Sequence, residues 1–131
     1  MEVRIEKTSD YYETVKSFWE SHCFPAVHIS FLPVNVFVVS NDGEDLYSCF
    51  FYHTDSAMAW LAYPVSNLSV PKEKRIGALD FLILEMEKYA REKGYYLMFT
   101  TSPVKRVQDT LLSLGYNEGD VLVTQYFKML S

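Results

Sequence analysis

Ala57-Met58-Ala59-Trp60-Leu61-Ala62-Tyr63 runs through the polar segment Ser66-Asn67-Leu68-Ser69-Val70-Pro71 into the basic turn Lys72-Glu73-Lys74-Arg75-Ile76-Gly77, and a long helical stretch follows to Gly94. The unbroken apolar run reads as a buried strand. Past the turn, Ile76, Leu79, Ile83, Met86 and Ala90 recur at steps of three and four, which predicts one apolar helical stripe. Asp80, Glu87, Lys88 and Arg91 fall on the opposite side. Glu87 and Arg91 are ordered for an i,i+4 ion pair, and Gly94 suits a left-handed C-cap. The helix start carries unpaired backbone N–H groups and the positive end of the dipole. Placing Lys72, Lys74 and Arg75 there opposes the dipole by about 0.3–1 kcal/mol each. That cost has no structural return unless an anion arrives, so the turn predicts a phosphate site.

Working outward, Val3 and Ile5 alternate with charged residues and read as a first strand. Thr8-Ser9-Asp10 offers N-caps, with Glu13 in capping-box position, and Tyr12, Val15, Phe18, Trp19 and Cys23 then follow helical spacing over about 10–23. Phe24 to Pro33 is a proline-bracketed loop. Val34–Ser40 and Asp45–His53 flank Asn41-Asp42-Gly43-Glu44, a hairpin signal. The middles of these strands are apolar on both faces, which calls for helices on both sides of the sheet. Tyr95–Thr100 is expected to lie parallel to the opening strand, because a helix joins them. A second helix places Val104, Val107, Leu111 and Leu114 inward and ends at Gly115, and Val121–Leu130 reads as a last strand. The reading is an α/β (mixed α+β) single domain over residues 1–131. Its mixed, mostly antiparallel sheet has six to seven strands, helices on both faces and one splayed parallel pair whose crevice takes the ligand.

The bulk properties narrow the function classes. The chain has 131 residues, 49% hydrophobic and 22% charged, with net charge −5. This is a globular balance, and the acidity disfavours nucleic acid as the partner. The charged N-terminus has no secretory core, and no run reaches the roughly 18 apolar residues needed to span a bilayer, so no membrane role and a cytoplasmic address are expected. Cys23 and Cys49 are expected to be free buried thiols of a reducing compartment. His22-Cys23 and His28 lack metal-ligand spacing, and no metal is expected.

Asn67 to Gly94, with Lys72-Glu73-Lys74-Arg75-Ile76-Gly77 where the family carries Q/R-x-x-G-x-G/A, resembles the GNAT superfamily of acetyl-CoA-dependent N-acetyltransferases. Ser113-Leu114-Gly115-Tyr116 is similar to that family's short k-l-G-F close to its last strands, and the element order agrees along the whole chain. The resemblance implies that the amides of residues 72–78 cradle the CoA pyrophosphate. Lys72, Lys74, Arg75, Ile76, Gly77 and Ala78 are then the cofactor-binding residues, while the strand end at Val65 and Asn67 pairs with the pantetheine arm. The motif is degenerate: Lys72 lacks the guanidinium fork, and Arg75 replaces the first Gly. Leu111 and Val104 stand where the family often has a thiolate-protonating Tyr and a CoA-contacting Asn.

Acetyl transfer to an amine requires a base, a group that polarises the carbonyl and a donor for sulfur. His53 closes a strand next to Asp55 and is the candidate base; Tyr63 is the candidate hydroxyl, with Tyr95, Tyr96 and Tyr126 as alternatives. Lys105 and Arg106 either join the positive rim or face solvent. The expected partners are a small-molecule or peptide amine and a second copy of the chain as a possible homodimer, with acetyl-CoA as co-substrate. A GNAT-fold binding or assembly protein without catalysis is the alternative.

Overall fold

Val36, Phe37, Val38 and Val39 are all buried. Because neighbouring side chains of a strand point to opposite faces, such a run needs a layer on each side of its sheet. A computed structural model, which describes all 131 residues, supplies both layers. The elements are β1 (Glu2–Lys7), α1 (Thr8–Ser21), β2 (Asn35–Asn41), β3 (Glu44–Tyr52), β4 (Met58–Ser66), a single turn α2 (Lys72–Arg75), α3 (Ala78–Glu92), β5 (Leu97–Phe99) and α4 (Lys105–Ser113). The sheet order is β1-β2-β3-β4-β5. Every pair is antiparallel except β4 and β5, which are parallel.

On one face α1 packs Tyr11, Val15, Phe18 and Trp19 against Val36, Val38, Phe50 and Val65. On the other, Ala78, Leu79, Leu82, Ile83, Met86 and Ala90 of α3 and Val107 of α4 cover Phe37, Val39, Cys49 and Phe51. The expected α3 stripe is present apart from Ile76, which is 72% exposed and precedes the helix. Asp42 (φ 51°) and Gly43 (φ 79°) both adopt left-handed backbone at the hairpin, as a two-residue primed turn requires. The Glu87–Arg91 pair forms at 3.4 Å.

Four expectations need correction. The sheet has five strands, not six or seven. Val121–Leu130 forms no strand, and no hydrogen bond reaches residues 117–131, because the chain leaves the body at Tyr116, whose hydroxyl donates to Glu87 at 2.9 Å. The first helix starts at Thr8 rather than at about Asp10, without a side-chain cap; buried Thr8 instead donates its hydroxyl to the Pro33 carbonyl at 2.6 Å. Cys49 is fully buried but Cys23 is exposed, turned outward by its own left-handed backbone (φ 60°); both are free thiols.

The parallel pair is short. Met58, Ala59 and Trp60 face Leu97, Met98 and Phe99, and the pairing stops there. Opposite β3, Ala62 faces Phe50 while Val65 faces Ser48, so β4 spends one residue more than its partner. This is a β-bulge, and Tyr63 within it has φ 55°. Beyond the bulge β4 continues to Ser66 with its outer edge unpaired.

A polar knot ties β1, α1 and β3 together. Arg4 donates both Nη atoms to the Asp45 carboxylate (2.8 and 3.0 Å), and the Tyr11 hydroxyl donates to it at 2.8 Å. Burial alone would raise the Asp45 carboxyl, but the bonds from Arg4 and Tyr11 outweigh it and hold the group below its ordinary 3.8. A depressed carboxyl stabilises the fold above its unfolded value, and that contribution is lost as pH falls through the folded one. Asp45→Asn is expected to cost about 1.5–3 kcal/mol at neutral pH, read by urea unfolding, and the difference from wild type should shrink below about pH 4.

Candidate functional site

The turn between β4 and α3 is shaped by Arg75 and Gly77. Arg75 folds back so that its Nε donates to the Val70 carbonyl at 3.0 Å. Its Nη1 is buried and has no partner, a costly state for a charged donor unless an acceptor is supplied. Gly77 has φ 79° and serves as the N-cap of α3, where a side chain would be strained. No side chain caps α3, and the amides of Ala78, Leu79 and Asp80 make no backbone hydrogen bond. The helix therefore presents uncapped donors at its positive end.

These groups border a cavity of about 360 Å³ lined by Tyr47, Lys72, Arg75, Ile76, Gly77, Leu79, Asp80, Arg106 and Thr110. Lys72, Arg75 and Arg106 bring three cations, against Asp80. Arg106 thus joins the rim, whereas Lys105 turns away to Asp109 at 2.7 Å. Lys74 also turns away, toward Glu44 of the hairpin at 3.4 Å. Ala78 is fully buried, so only its main chain is on offer, while Ile76 projects its exposed side chain at the cavity mouth. An orphaned guanidinium nitrogen, uncapped amides and converging cations fit a diphosphate.

Val65 is buried against the α1 face, leaving only its backbone for a ligand. Asn67 is engaged in its own loop: its amide donates to the Asp45 carbonyl at 2.9 Å and its side-chain oxygen accepts from the Ser69 N–H and hydroxyl. Its role is to hold the loop that follows β4.

Tyr63 stands at the bulge, 42% exposed, with Trp19, Phe50 and Tyr52 edge-on around it at 6.1 to 6.5 Å. Burial, reinforced by the Tyr63 hydroxyl, pushes the Tyr52 phenol up to about 12. His53 lies elsewhere. Tyr47 faces Ser66 at one end of the β3–β4 ladder. His53 follows the other end of β3, about 20 Å away at roughly 3.3 Å per residue. Its Nε2 meets the Tyr89 hydroxyl at 2.9 Å and its ring packs on Phe51 at 4.8 Å. The structure thus sets His53 at the end of β3 away from the basic turn, on the face with Phe51 and Tyr89, whereas the Tyr63 ring packs on the other face with Trp19 and Phe50. Asp55, in the turn after His53, is likewise remote, and Tyr95 is occupied with the Thr54 backbone.

His22, weighed in the sequence only as a metal ligand, has a contact that the sequence does not show. It follows α1, stacks on Phe24 at 5.0 Å and places Nε2 2.9 Å from the Ser66 hydroxyl and 3.1 Å from the Ser66 carbonyl. Nothing local marks this, since His22 and Ser66 are 44 residues apart. His22, Cys23 and His28 do not converge: His28 caps the following turn through Ser30. No group of three or more His, Cys, Asp or Glu is arranged to hold a metal. No helix is long and apolar enough to cross a membrane.

No protein-family model matches the sequence, and no curated protein matches it. Solved structures do. A soil-metagenome aminoglycoside acetyltransferase, meta-AAC0020, in complex with sisomicin superposes with TM-score 0.73 at 13% identity, over 98% of this chain and 96% of that one. The aminoglycoside N-acetyltransferase AAC(6')-Iy in complex with CoA gives 0.65 at 17%, over 98% and 100%. Rv2747 from Mycobacterium tuberculosis, in complex with CoA and NLQ, gives 0.71 at 13%, over 95% and 76%. The chain has the GNAT fold.

Replacing Gly77 by Ala tests the turn. The added Cβ meets no atom within 4 Å, so the cost is backbone strain of about 1 kcal/mol, read as a lowered unliganded melting temperature.

Proposed function

We propose that the protein is an acyltransferase that moves an acetyl group from acetyl-CoA to an amine by direct attack in a ternary complex. The observation that carries this is the buried, unpartnered Arg75 Nη1 beside the uncapped amides of α3, at the end of the bulged strand of a GNAT fold. Acetyl-CoA supplies a thioester: the amine nitrogen bonds to its carbonyl carbon, the C–S bond breaks, the nitrogen loses a proton and the sulfur gains one. Lys72, Arg75, Arg106 and the amides of residues 77–80 bind the diphosphate. The unpaired edge of β4 from Tyr63 to Ser66 binds the pantetheine arm as an added strand would, with Pro64 giving only its carbonyl. Tyr63 and Tyr52, backed by buried Trp19, offer an aromatic surface to the acceptor, a small molecule or a peptide amine.

For the base we infer His22 rather than His53. Imidazole exchanges protons near neutral pH, and His22 touches the end of β4 while His53 is remote from it. His22→Gln is expected to lower kcat/KM for an amine substrate by about 10²–10⁴-fold. An unchanged kcat/KM would assign the base elsewhere. Leu111 and Val104 pack on the hydrophobic cluster under α3, so the sulfur takes its proton from water or from a hydroxyl such as Tyr63.

Those two apolar residues favour a second reading, a CoA-binding or assembly protein without catalysis. Thermal shift separates the two. CoA at 100 times its dissociation constant should stabilise the fold by about 2.7 kcal/mol. Arg75→Glu and Lys72→Glu are expected to abolish the shift, with little effect of Lys72→Glu on the unliganded melt. Stabilisation without thiol release across an amine panel favours the second reading, and no shift at millimolar CoA refutes both.

A further inference from the structure

His22 closes α1 as its C-cap (φ −90°, ψ 0°). The two residues after it are fastened back to the helix. The Cys23 N–H donates to the Glu20 carbonyl at 3.0 Å and the Phe24 N–H to the Trp19 carbonyl at 2.9 Å. This paired closure is a Schellman motif, and Cys23 takes the left-handed place where glycine is usual. The backbone thereby returns the Phe24 ring to stack on the imidazole, with 5.0 Å between centroids and 10° between planes. A ring stacked on one face keeps its edges available. No protein group hydrogen-bonds to Nδ1 of His22, whereas Nε2 has two neighbours on Ser66.

Nε2 and the Ser66 hydroxyl, 2.9 Å apart, have the spacing of a base and its nucleophile. Two observations oppose that role. Ser66 is only 4% exposed, which leaves an acyl carbon little access to its Oγ. Nε2 also lies 3.1 Å from the Ser66 carbonyl oxygen, which can only accept. A bare Nε2 would turn its lone pair on that oxygen at close range. A protonated Nε2 donates to the carbonyl and the hydroxyl together. The two contacts therefore fit the Nε2–H tautomer, and in the neutral ring that tautomer leaves Nδ1 as the acceptor.

We propose that Ser66 is the positioning residue of the base: its carbonyl and hydroxyl hold the Nε2–H of His22, so Nδ1 takes the amine proton, an inference that rests on the acetyl-transfer reading above. As the amine nitrogen bonds to the thioester carbon, one N–H bond breaks. Its electron pair stays on nitrogen and the proton passes to the Nδ1 lone pair. The C–S pair leaves on sulfur, which is protonated as described. The imidazolium keeps its Nε2–H on Ser66 and returns the Nδ1 proton to water. Ser66 is the last residue of β4, so the same contact ties the base to the strand edge that takes the pantetheine arm. The opposite tautomer would bind Nε2 to the Ser66 hydroxyl and put hydrogen on Nδ1, leaving no base for an amine.

Long-range proton–nitrogen correlation spectra of the isotope-labelled full chain, without CoA or amine, read the tautomer directly. The chain has three histidines, and His22→Gln identifies the signal by its loss. At about two pH units above the ordinary imidazole value, His22 should show a protonated, pyrrole-like Nε2 and a bare, pyridine-like Nδ1. His28, whose Nδ1 accepts from the Ser30 N–H at 3.1 Å, supplies a reference for that pattern. A bare Nε2, or two nitrogens with averaged shifts, overturns the proposal. Ser66→Ala keeps the carbonyl and removes the hydroxyl. It should move the His22 nitrogens toward averaged shifts and lower kcat for acetyl transfer by about 2–10-fold, with CoA affinity unchanged. Loss of all transfer at unchanged CoA affinity overturns the proposal by making Ser66 the nucleophile. Unchanged shifts with unchanged kcat overturn it by making the hydroxyl idle. If the wild-type chain transfers no acetyl group, the acetyltransferase reading fails, while the hold of Ser66 on His22 stands or falls by the spectrum alone. The wild-type spectrum also decides if Ser66→Ala does not fold.

Discussion

One extra residue in β4 shapes this molecule. Because Ala62 faces Phe50 and Val65 faces Ser48, the strand must kink at Tyr63, and the kink carries its far half away from β5. A flat parallel pair would have used every main-chain donor and acceptor of β4 on protein. The bulge frees the outer edge of Tyr63–Ser66 and brings an aromatic side chain to the bend. The cost is a non-glycine residue at φ 55°, of order 1–3 kcal/mol, a strain that persists only when its surroundings hold it. Trp19 and Phe50, packed around the Tyr63 ring, provide that hold.

The turn that follows shows how a degenerate motif can keep its geometry. Arg75 stands at a position where the resembling family carries glycine, and a long side chain there threatens to fill the anion's place. It folds onto the Val70 carbonyl instead, bracing the loop with Nε and leaving Nη1 buried without a partner. Asn67 works on the same loop from the other end through Asp45 and Ser69. The loop's shape is thus set by two polar side chains whose partners are mostly main-chain groups, which tolerate substitution around them.

Legibility in the sequence followed the range of the signal. The α3 stripe, the hairpin at Asp42-Gly43 and the crossover from β4 to β5 are local or rest on topology rules, and they could be read directly. The bulge could not, because Tyr63-Pro64 inside an apolar run carries no mark of the register across the sheet. His53 raises a related point: a strand has two ends, and the sequence does not say which one faces the basic turn. Arg106 reaches the cavity at that turn, and His22 the end of β4, through packing between distant segments. The tail was read as a strand from its alternation, but alternation alone does not supply a neighbouring strand to pair with, and none forms there.

The three-rung ladder between β4 and β5 has a mechanical meaning. It is the slenderest seam of the sheet, and everything C-terminal to Tyr96 hangs on it, on the packing of Met98 and α4, and on the Tyr116–Glu87 bond. The segment β5–α4 can therefore detach as a sub-global unit while β1–β4 with α1 and α3 stay intact. A molecule bound across the diverging ends of β4 and β5 would act as a clasp, so that occupancy and cohesion of this flap would become the same equilibrium.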